Sequence, residues 1–251
     1  TGWVFGGNYI GLAANGLAAI GNSNIGDSGG LSIDNSDSVR IGGATAGAAN
    51  VISGNFSMGI APDQTNDLVI EGNYIGTDYT GNVALPNGGP GISSSAGTNT
   101  MIGGNTAAKR NIIAGNADYG VSLQNSTSFT LTGNYIGVAS NLSALPNGNT
   151  GVNIDGGSGV VGGTATGEGN IIANAMSGFG INVVSVSSQP HVSILGNSIY
   201  NNNDIGIGFN TSLLANDVGD IDTGPNDQLN FPDNVTHGES GGNTIMNYTL
   251  D

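Results

Sequence analysis

The chain has 251 residues and is strongly acidic, with 18 Asp and Glu against 3 Lys and Arg, which gives a formal net charge of −15 at pH 7. This charge repels nucleic acid and anionic membrane surfaces, and the sequence has no apolar run of the length, about 18 residues, that spans a bilayer. Cysteine is absent, which excludes a disulfide framework and zinc–thiolate sites. Glycine contributes 46 residues and only 8% of residues are charged, so long charged helices are not expected.

Two short patterns recur along the chain. In the first, an asparagine is followed two residues later by an isoleucine, and the asparagines are Asn8, Asn50, Asn73, Asn111, Asn134, Asn170 and Asn197. In the second, a glycine followed by an apolar residue opens a short strand, at Gly30, Gly59, Gly91, Gly120, Gly151, Gly180 and Gly206. The steps between these glycines run from 26 to 32 residues. Repeats of this length indicate stacked units rather than a closed globule.

Each repeat carries short β-like segments with alternating polarity. In the repeat that opens at Gly120, apolar and polar residues alternate over 121–124 and again over 129–132. Side chains two positions apart on a strand share a face, so Asn134 should point inward together with Ile136. An inward asparagine needs partners for its amide, and the same residue in the neighbouring coils can supply them. The sequence therefore predicts an axial ladder formed by Asn50, Asn73, Asn111, Asn134, Asn170 and Asn197.

The repeats are of two alternating kinds. Type A coils have a diglycine, as at 42–43, followed by an insertion of about six or seven small residues before the asparagine. Type B coils run directly into the asparagine and place a longer loop afterwards, which ends in Leu-Pro-Asn at 85–87 and 145–147. Equivalent asparagines of successive pairs, Asn50 and Asn111, are 61 residues apart by subtraction. The predicted fold is all-β, a right-handed parallel β-helix of about seven to eight coils.

The amino-acid sequences of these repeats resemble those of a known family. Gly-Asn-Tyr-Ile-Gly, Ala-Leu-Pro-Asn-Gly and Asn-Ile-Ile-Ala-Gly-Asn are similar to β-helix modules of the pectin-lyase-like superfamily in large secreted or surface-attached bacterial proteins. The resemblance covers residues 1 to about 235, which we assign to the β-helix. It implies that the polar segment 236–251 leaves the helix and begins a following β-sandwich domain. Because the superfamily includes lyases, hydrolases, adhesins and structural shafts, the resemblance specifies the fold more than the activity.

A lyase of this fold needs a group of cations to hold a uronate carboxylate. The chain has Arg40, Lys109 and Arg110. In the alignment of repeats Arg40 precedes the diglycine, whereas the other two precede Asn111 at a different corner, so we expect no cluster. Lyase activity is therefore disfavoured.

A hydrolase of this fold needs carboxylates on neighbouring coils. Asp34, Asp63 and Asp155 share one register at the end of the first strand, and Asp34 and Asp63 fall on adjacent coils. They are the candidate catalytic pair of an alternative, enzymatic function. The alternative is a structural role, in which these acidic residues end strands at turns.

Tyr9, Tyr74 and Tyr135 occupy the position between the ladder asparagine and the inward isoleucine, in type B coils. By alternation they face outward, about 10 Å apart, a spacing at which rings can stack on the sugars of an extended glycan. They are our candidate glycan-binding residues. The alternative is that each ring covers the insertion of a neighbouring type A coil.

The densest acidic segment lies at 216–232. Its oxygen-bearing residues suit Ca2+, which takes six to eight hard ligands, although a solvated exit loop is the alternative. The candidate metal ligands are Asp217, Asp220, Asp222, Asn226 and Asp227.

Taken together, these features favour a non-catalytic structural or adhesive module of a bacterial extracellular or cell-surface protein, such as a stalk, an adhesin or a filament subunit. The alternative is a glycan-binding or glycan-cleaving β-helix. The expected partners are other copies or neighbouring domains, contacted through the coil ends, and surface glycans.

Overall fold

The computed structural model describes residues 2–22, 29–185 and 190–209, together with the backbone of two strands within 233–249. The first three ranges form a parallel β-solenoid with three sheets of seven strands each. Within the described ranges, helix is limited to one short 3-10 turn at Ala107–Lys109. The predicted all-β parallel solenoid is confirmed.

Sheet I contains the strands that open each coil. They are β3 (Leu31–Asp34), β6 (Ile60–Asp63), β9 (Ile92–Ser95), β12 (Val121–Gln124), β15 (Val152–Asp155), β18 (Ile181–Val184) and β21 (Ile207–Phe209).

Sheet II follows along the chain in each coil. It consists of β1 (Trp3–Phe5), β4 (Val39–Gly42), β7 (Val69–Glu71), β10 (Met101–Gly103), β13 (Phe129–Thr132), β16 (Ser158–Gly162) and β19 (His191–Leu195).

Sheet III completes each coil directly after the first asparagine ladder. It consists of β2 (Tyr9–Ile10), β5 (Val51–Ile52), β8 (Tyr74–Ile75), β11 (Ile112–Ile113), β14 (Tyr135–Ile136), β17 (Ile171–Ala173) and β20 (Ser198–Tyr200).

Strands β3 to β20 make six complete coils, with β1 and β2 before them and β21 after them. The expected seven to eight coils is therefore slightly too many for the described solenoid, because the repeat markers also occur in the incomplete units at its two ends. Beyond it, β22 (Asp233–Ser240) and β23 (Asn243–Thr249) pair in an antiparallel hairpin. The expected domain boundary near residue 235 falls within β22, and a β-sandwich beyond it stays a prediction.

The core runs along the axis of the solenoid. The inward isoleucines of sheet III are direct partners in successive strands, as the alternation predicts, and they are fully buried: Ile52, Ile75, Ile113, Ile136 and Ile172. Burying an aliphatic side chain of this size contributes about 1.5 to 3 kcal/mol. Axial columns of aliphatic residues are therefore the main cohesive contribution.

The two coil types differ in where their loops lie. Type A loops, such as 43–49 and 104–110, connect sheet II to sheet III, whereas type B loops, such as 77–86 and 138–146, follow sheet III. Each type B loop is closed by a short antiparallel bridge, Thr77 to Ala84 in one coil and Val138 to Ala144 in another. Both kinds of loop therefore border the outer face of sheet III.

Candidate functional site

The structure places the predicted ladder asparagines in one continuous chain of amide hydrogen bonds. From Asn8 to Asn197, each Nδ2 donates to the Oδ1 of the next coil's asparagine over 2.8 to 3.1 Å. Five of these side chains are at most 1% exposed: Asn50, Asn73, Asn111, Asn134 and Asn170.

Asn111 illustrates how completely each amide is satisfied. Its Nδ2 donates to Asn134 Oδ1 at 2.9 Å and to the Ile70 carbonyl at 2.8 Å. Its Oδ1 accepts from both the backbone nitrogen and the Nδ2 of Asn73, at 2.9 and 3.0 Å. All four hydrogen-bonding positions of a buried amide are filled, which is what such a group requires.

A second asparagine ladder, which sequence reasoning missed, runs along the corner between sheets III and I. Its members, linked by Nδ2-to-Oδ1 bonds of 2.9 to 3.1 Å, are Asn22, Asn55, Asn87, Asn116 and Asn147. The signal was present as Gly-Asn in type A coils and Pro-Asn at the end of type B loops. It was obscured because the loops vary the distance between the two ladders.

The second ladder is interrupted at Ala175. The backbone nitrogen of Ala175 donates to Asn202 Oδ1 at 3.1 Å, the same bond that Asn116 makes to Asn147 at 3.1 Å. Ala175 therefore stands in a ladder position without an amide, and it is 3% exposed. Below it, Asn147 Nδ2 donates to the Ile113 carbonyl at 3.0 Å but finds no ladder partner in the next coil.

The expectation that the three cations do not cluster was wrong for two of them, Arg40 and Lys109. Arg40 pairs with the buried carboxylate of Glu71, and Lys109 Nζ lies 3.8 Å from the other oxygen of that carboxylate. The type A loop folds back over the preceding coil, where Gly72 N donates to the Lys109 carbonyl at 2.9 Å. Arg110 then lies over the ring of Tyr135, 4.1 Å from its centroid. The positions of these residues in the repeat did not predict these contacts, because the type A loop reaches from its own coil to the neighbouring ones.

The acidic register on sheet I is arranged as the alternation predicts. Asp34 and Asp63 are direct partners on adjacent strands, and the same register continues to Asp155. Asp34 is exposed and Asp63 is half-buried, with Gln64 Nε2 donating to Asp63 Oδ2 at 3.2 Å. A shallow cavity of about 290 Å3 near the first strands is lined by Asp34 and not by Asp63.

The proposed calcium ligands Asp217, Asp220, Asp222, Asn226 and Asp227 lie outside the described residues. Within the part of the chain that the structure describes, no group of three or more His, Asp or Glu side chains is arranged to hold a metal ion. The calcium site stays a prediction.

The three tyrosines lie on the outer face of sheet III. Tyr9, Tyr74 and Tyr135 are separated by aliphatic residues in one outward register, which runs through Val51 and Ile112. Tyr9 is 45% exposed, whereas the other two rings are half-buried by neighbouring loops. The three rings thus differ in exposure, and glycan binding by this row stays a prediction.

A cavity of about 320 Å3 lies over Tyr74. It is bordered by the type A loops 43–49 and 104–110, and its floor is formed by Tyr74, Ile112 and Tyr135. Arg110 and Ser140 also line it. Most of the remaining lining residues are glycine or alanine, so the backbone itself forms the walls.

The cavity exists because one side chain is small. In the third complete coil, the residue before the ladder asparagine is Arg110, whose guanidinium covers Tyr135 and whose Nε donates to the Gly133 carbonyl at 3.0 Å. In the first complete coil, the equivalent residue is Ala49. Its methyl group cannot reach the ring of Tyr74, which leaves the space above that ring open.

Ser140 contributes to the wall of this cavity. Its backbone nitrogen donates to the Gly81 carbonyl at 2.9 Å, which joins successive type B loops. Its hydroxyl oxygen is buried without a hydrogen-bond partner, as is that of Thr100 in the core. The hydroxyl lies against the backbone of Gly81 and is closed to solvent, so it offers no hydrogen-bonding group to the cavity.

Comparisons with family models, curated proteins and solved structures found no match. Among the described residues, no helix has the length and apolar character needed to cross a membrane. The superfamily resemblance therefore rests on the repeat wording and on the solenoid fold.

Proposed function

We propose that this chain is a non-catalytic structural or adhesive β-helical module, with a pectin-lyase-like architecture, in a bacterial extracellular or cell-surface protein. One observation carries the proposal: the polar residues that recur from coil to coil are used to hold coils together. The amides of the first ladder are saturated by one another and by backbone carbonyls, so they are not free to bind or transform a substrate. A stalk, an adhesin shaft or a filament subunit needs this cohesion.

The composition of the chain and the ends of the solenoid support the proposed location and partners. An acidic, lysine-poor and cysteine-free chain suits the outside of a bacterial cell. The terminal strands of the described solenoid each have a neighbour on one edge only; they are β1, β2 and β3 at one end and β19, β20 and β21 at the other. Such edges can dock a neighbouring domain or another copy. A docked interface should bury about 1,000 Å2 or more, and sedimentation velocity over a concentration series measures self-association directly.

A second candidate function is glycan cleavage, which is favoured by the adjacency of Asp34 and Asp63 on sheet I. We expect no reducing ends to be released from a panel of neutral and acidic polysaccharides. Turnover that disappears in both Asp34→Asn and Asp63→Asn would overturn the structural proposal. Turnover unaffected by either substitution would point to a contaminant, and repeating the assay after further purification resolves that outcome.

Calcium binding by the acidic segment 216–232 is a separate proposal. Binding of an ion to the folded state alone raises the melting temperature by mass action. We expect Ca2+ to raise Tm and chelation to lower it, with Asp220→Asn and Asp222→Asn reducing the difference. An unchanged Tm after chelation would dispose of this site.

A further inference from the structure

The cavity over Tyr74 brings together two aromatic rings and a guanidinium. Its volume of about 320 Å3 is at the lower end of the range for small-molecule sites, about 300 to 1,000 Å3. The walls at 43–49 and 107–108 consist of glycine and alanine except for Thr45. A flat ligand can therefore approach the backbone closely on both sides.

The groups that line the cavity suit a sugar ring, which has an apolar C–H face and polar hydroxyl groups at its edge. The Tyr74 ring offers an apolar platform for the C–H face of a pyranose. Arg110 is held in place by its bond to Gly133 and by the ring of Tyr135. No described residue accepts from its Nη groups, which leaves a fixed fork of donors for neighbouring hydroxyls.

The charge of the chain selects among sugars. With a formal net charge of −15, the protein repels polyanionic glycans over long range. Two of its three cations are paired with Glu71, so Arg110 alone remains to attract an anion at this site. A neutral sugar incurs no such repulsion, and it can still use the guanidinium as a donor.

We propose that this cavity binds a neutral hexopyranose unit of a glycan, stacked on Tyr74 and hydrogen-bonded to Arg110. The proposal goes beyond a structural role and does not depend on it, since a shaft can carry a binding site on its side. It also narrows the tyrosine row to one member, because Arg110 covers Tyr135 and the cavity does not include Tyr9.

The arrangement of Arg110 over Tyr135 suggests a substitution that blocks the cavity. Ala49→Arg should place a guanidinium over Tyr74 as Arg110 lies over Tyr135, which fills the cavity while preserving the coil. The probes are neutral tetrasaccharides of glucose, mannose and galactose, with a galacturonate tetramer as the anionic comparison. Binding to the full chain is measured by titration calorimetry and saturation-transfer NMR. We expect weak, saturable binding of at least one neutral probe, reduced at least about tenfold by Ala49→Arg and by Tyr74→Ala.

Two further variants keep the test decisive. Tyr9→Ala removes a tyrosine from the same repeat position outside the cavity and should leave the affinity unchanged. Arg110→Met removes the guanidinium donors but keeps an unbranched side chain beside Tyr135, so it should bind several-fold more weakly. This variant decides the outcome if Ala49→Arg does not fold. The proposal is overturned if no neutral probe binds, if the anionic probe binds more tightly, or if binding survives both Tyr74→Ala and Arg110→Met.

Discussion

The two asparagine ladders perform the same task at different corners, but one is continuous and the other is broken. Along the first, seven asparagines from Asn8 to Asn197 are linked without interruption. Along the second, the series stops at Asn147, where Ala175 takes the next place. The comparison shows that a coil tolerates the loss of one amide when the backbone nitrogen at that position still has an acceptor, here Asn202 Oδ1.

The largest expected effect comes from breaking the continuous ladder. Asn111→Leu removes the acceptor of the Asn73 backbone nitrogen and one of the three acceptors of its Nδ2. It also leaves Asn134 Oδ1 with one donor fewer and the Ile70 carbonyl without its side-chain donor. Each loss concerns a buried polar group, so we expect destabilisation of about 1 to 3 kcal/mol. Denaturant unfolding followed by circular dichroism measures the change. The control is Asn8→Leu at the exposed start of the ladder, for which we expect about 0.5 kcal/mol or less. Equal losses at the two sites would show that saturation of the buried amides is not what stabilises the coils.

A smaller gain should follow from removing a buried polar group that the ladders do not satisfy. Thr100 is fully buried, its hydroxyl has no partner, and its backbone lies between those of Leu68 and Phe129. Thr100→Val exchanges the hydroxyl for a methyl group of similar size, and we expect stabilisation of about 1 kcal/mol. Thr98→Val, at an exposed position two residues earlier, is the matched control and should change stability little. A loss of stability at position 100 would mean that the hydroxyl has a partner, such as a buried water.

The smallest expected effect comes from repairing the broken ladder. Ala175→Asn should accept from Asn147 Nδ2 and restore the series, with stabilisation of about 0.5 to 1.5 kcal/mol from the added hydrogen bond. The gain is limited because the new side chain also loses rotamer freedom. Met176→Asn places the same side chain at the adjacent position, which is 62% exposed, and serves as control. Thermal unfolding of both variants tests the idea, and destabilisation confined to Ala175→Asn would show that the coil has closed up around the alanine.

Much of the architecture was predictable because it depends on local spacing. The alternation around Asn134 and Ile136 indicates that both point inward, and the recurrence of that pair indicates that equivalent residues stack. The register of Asp34, Asp63 and Asp155 follows from the same count. The second ladder was also encoded, as Gly-Asn and Pro-Asn, but type A and type B loops separate its members from the first ladder by different numbers of residues. A variable spacing hides a constant position in space.

The sequence by itself determined the repeat, the inward columns and the alternation of two coil types, since each depends on residues that are close along the chain. Only the tertiary structure decided which loop meets which coil. It places Lys109 beside Glu71 and Arg110 over the ring of Tyr135. It leaves the ring of Tyr74 uncovered, because Ala49 is too short to reach it. The physical reason is that stacking by about 4.8 Å per coil makes neighbours of residues that are far apart along the chain. The path of the loops decides whether a side chain of a given length fills the space between two such residues or leaves it empty.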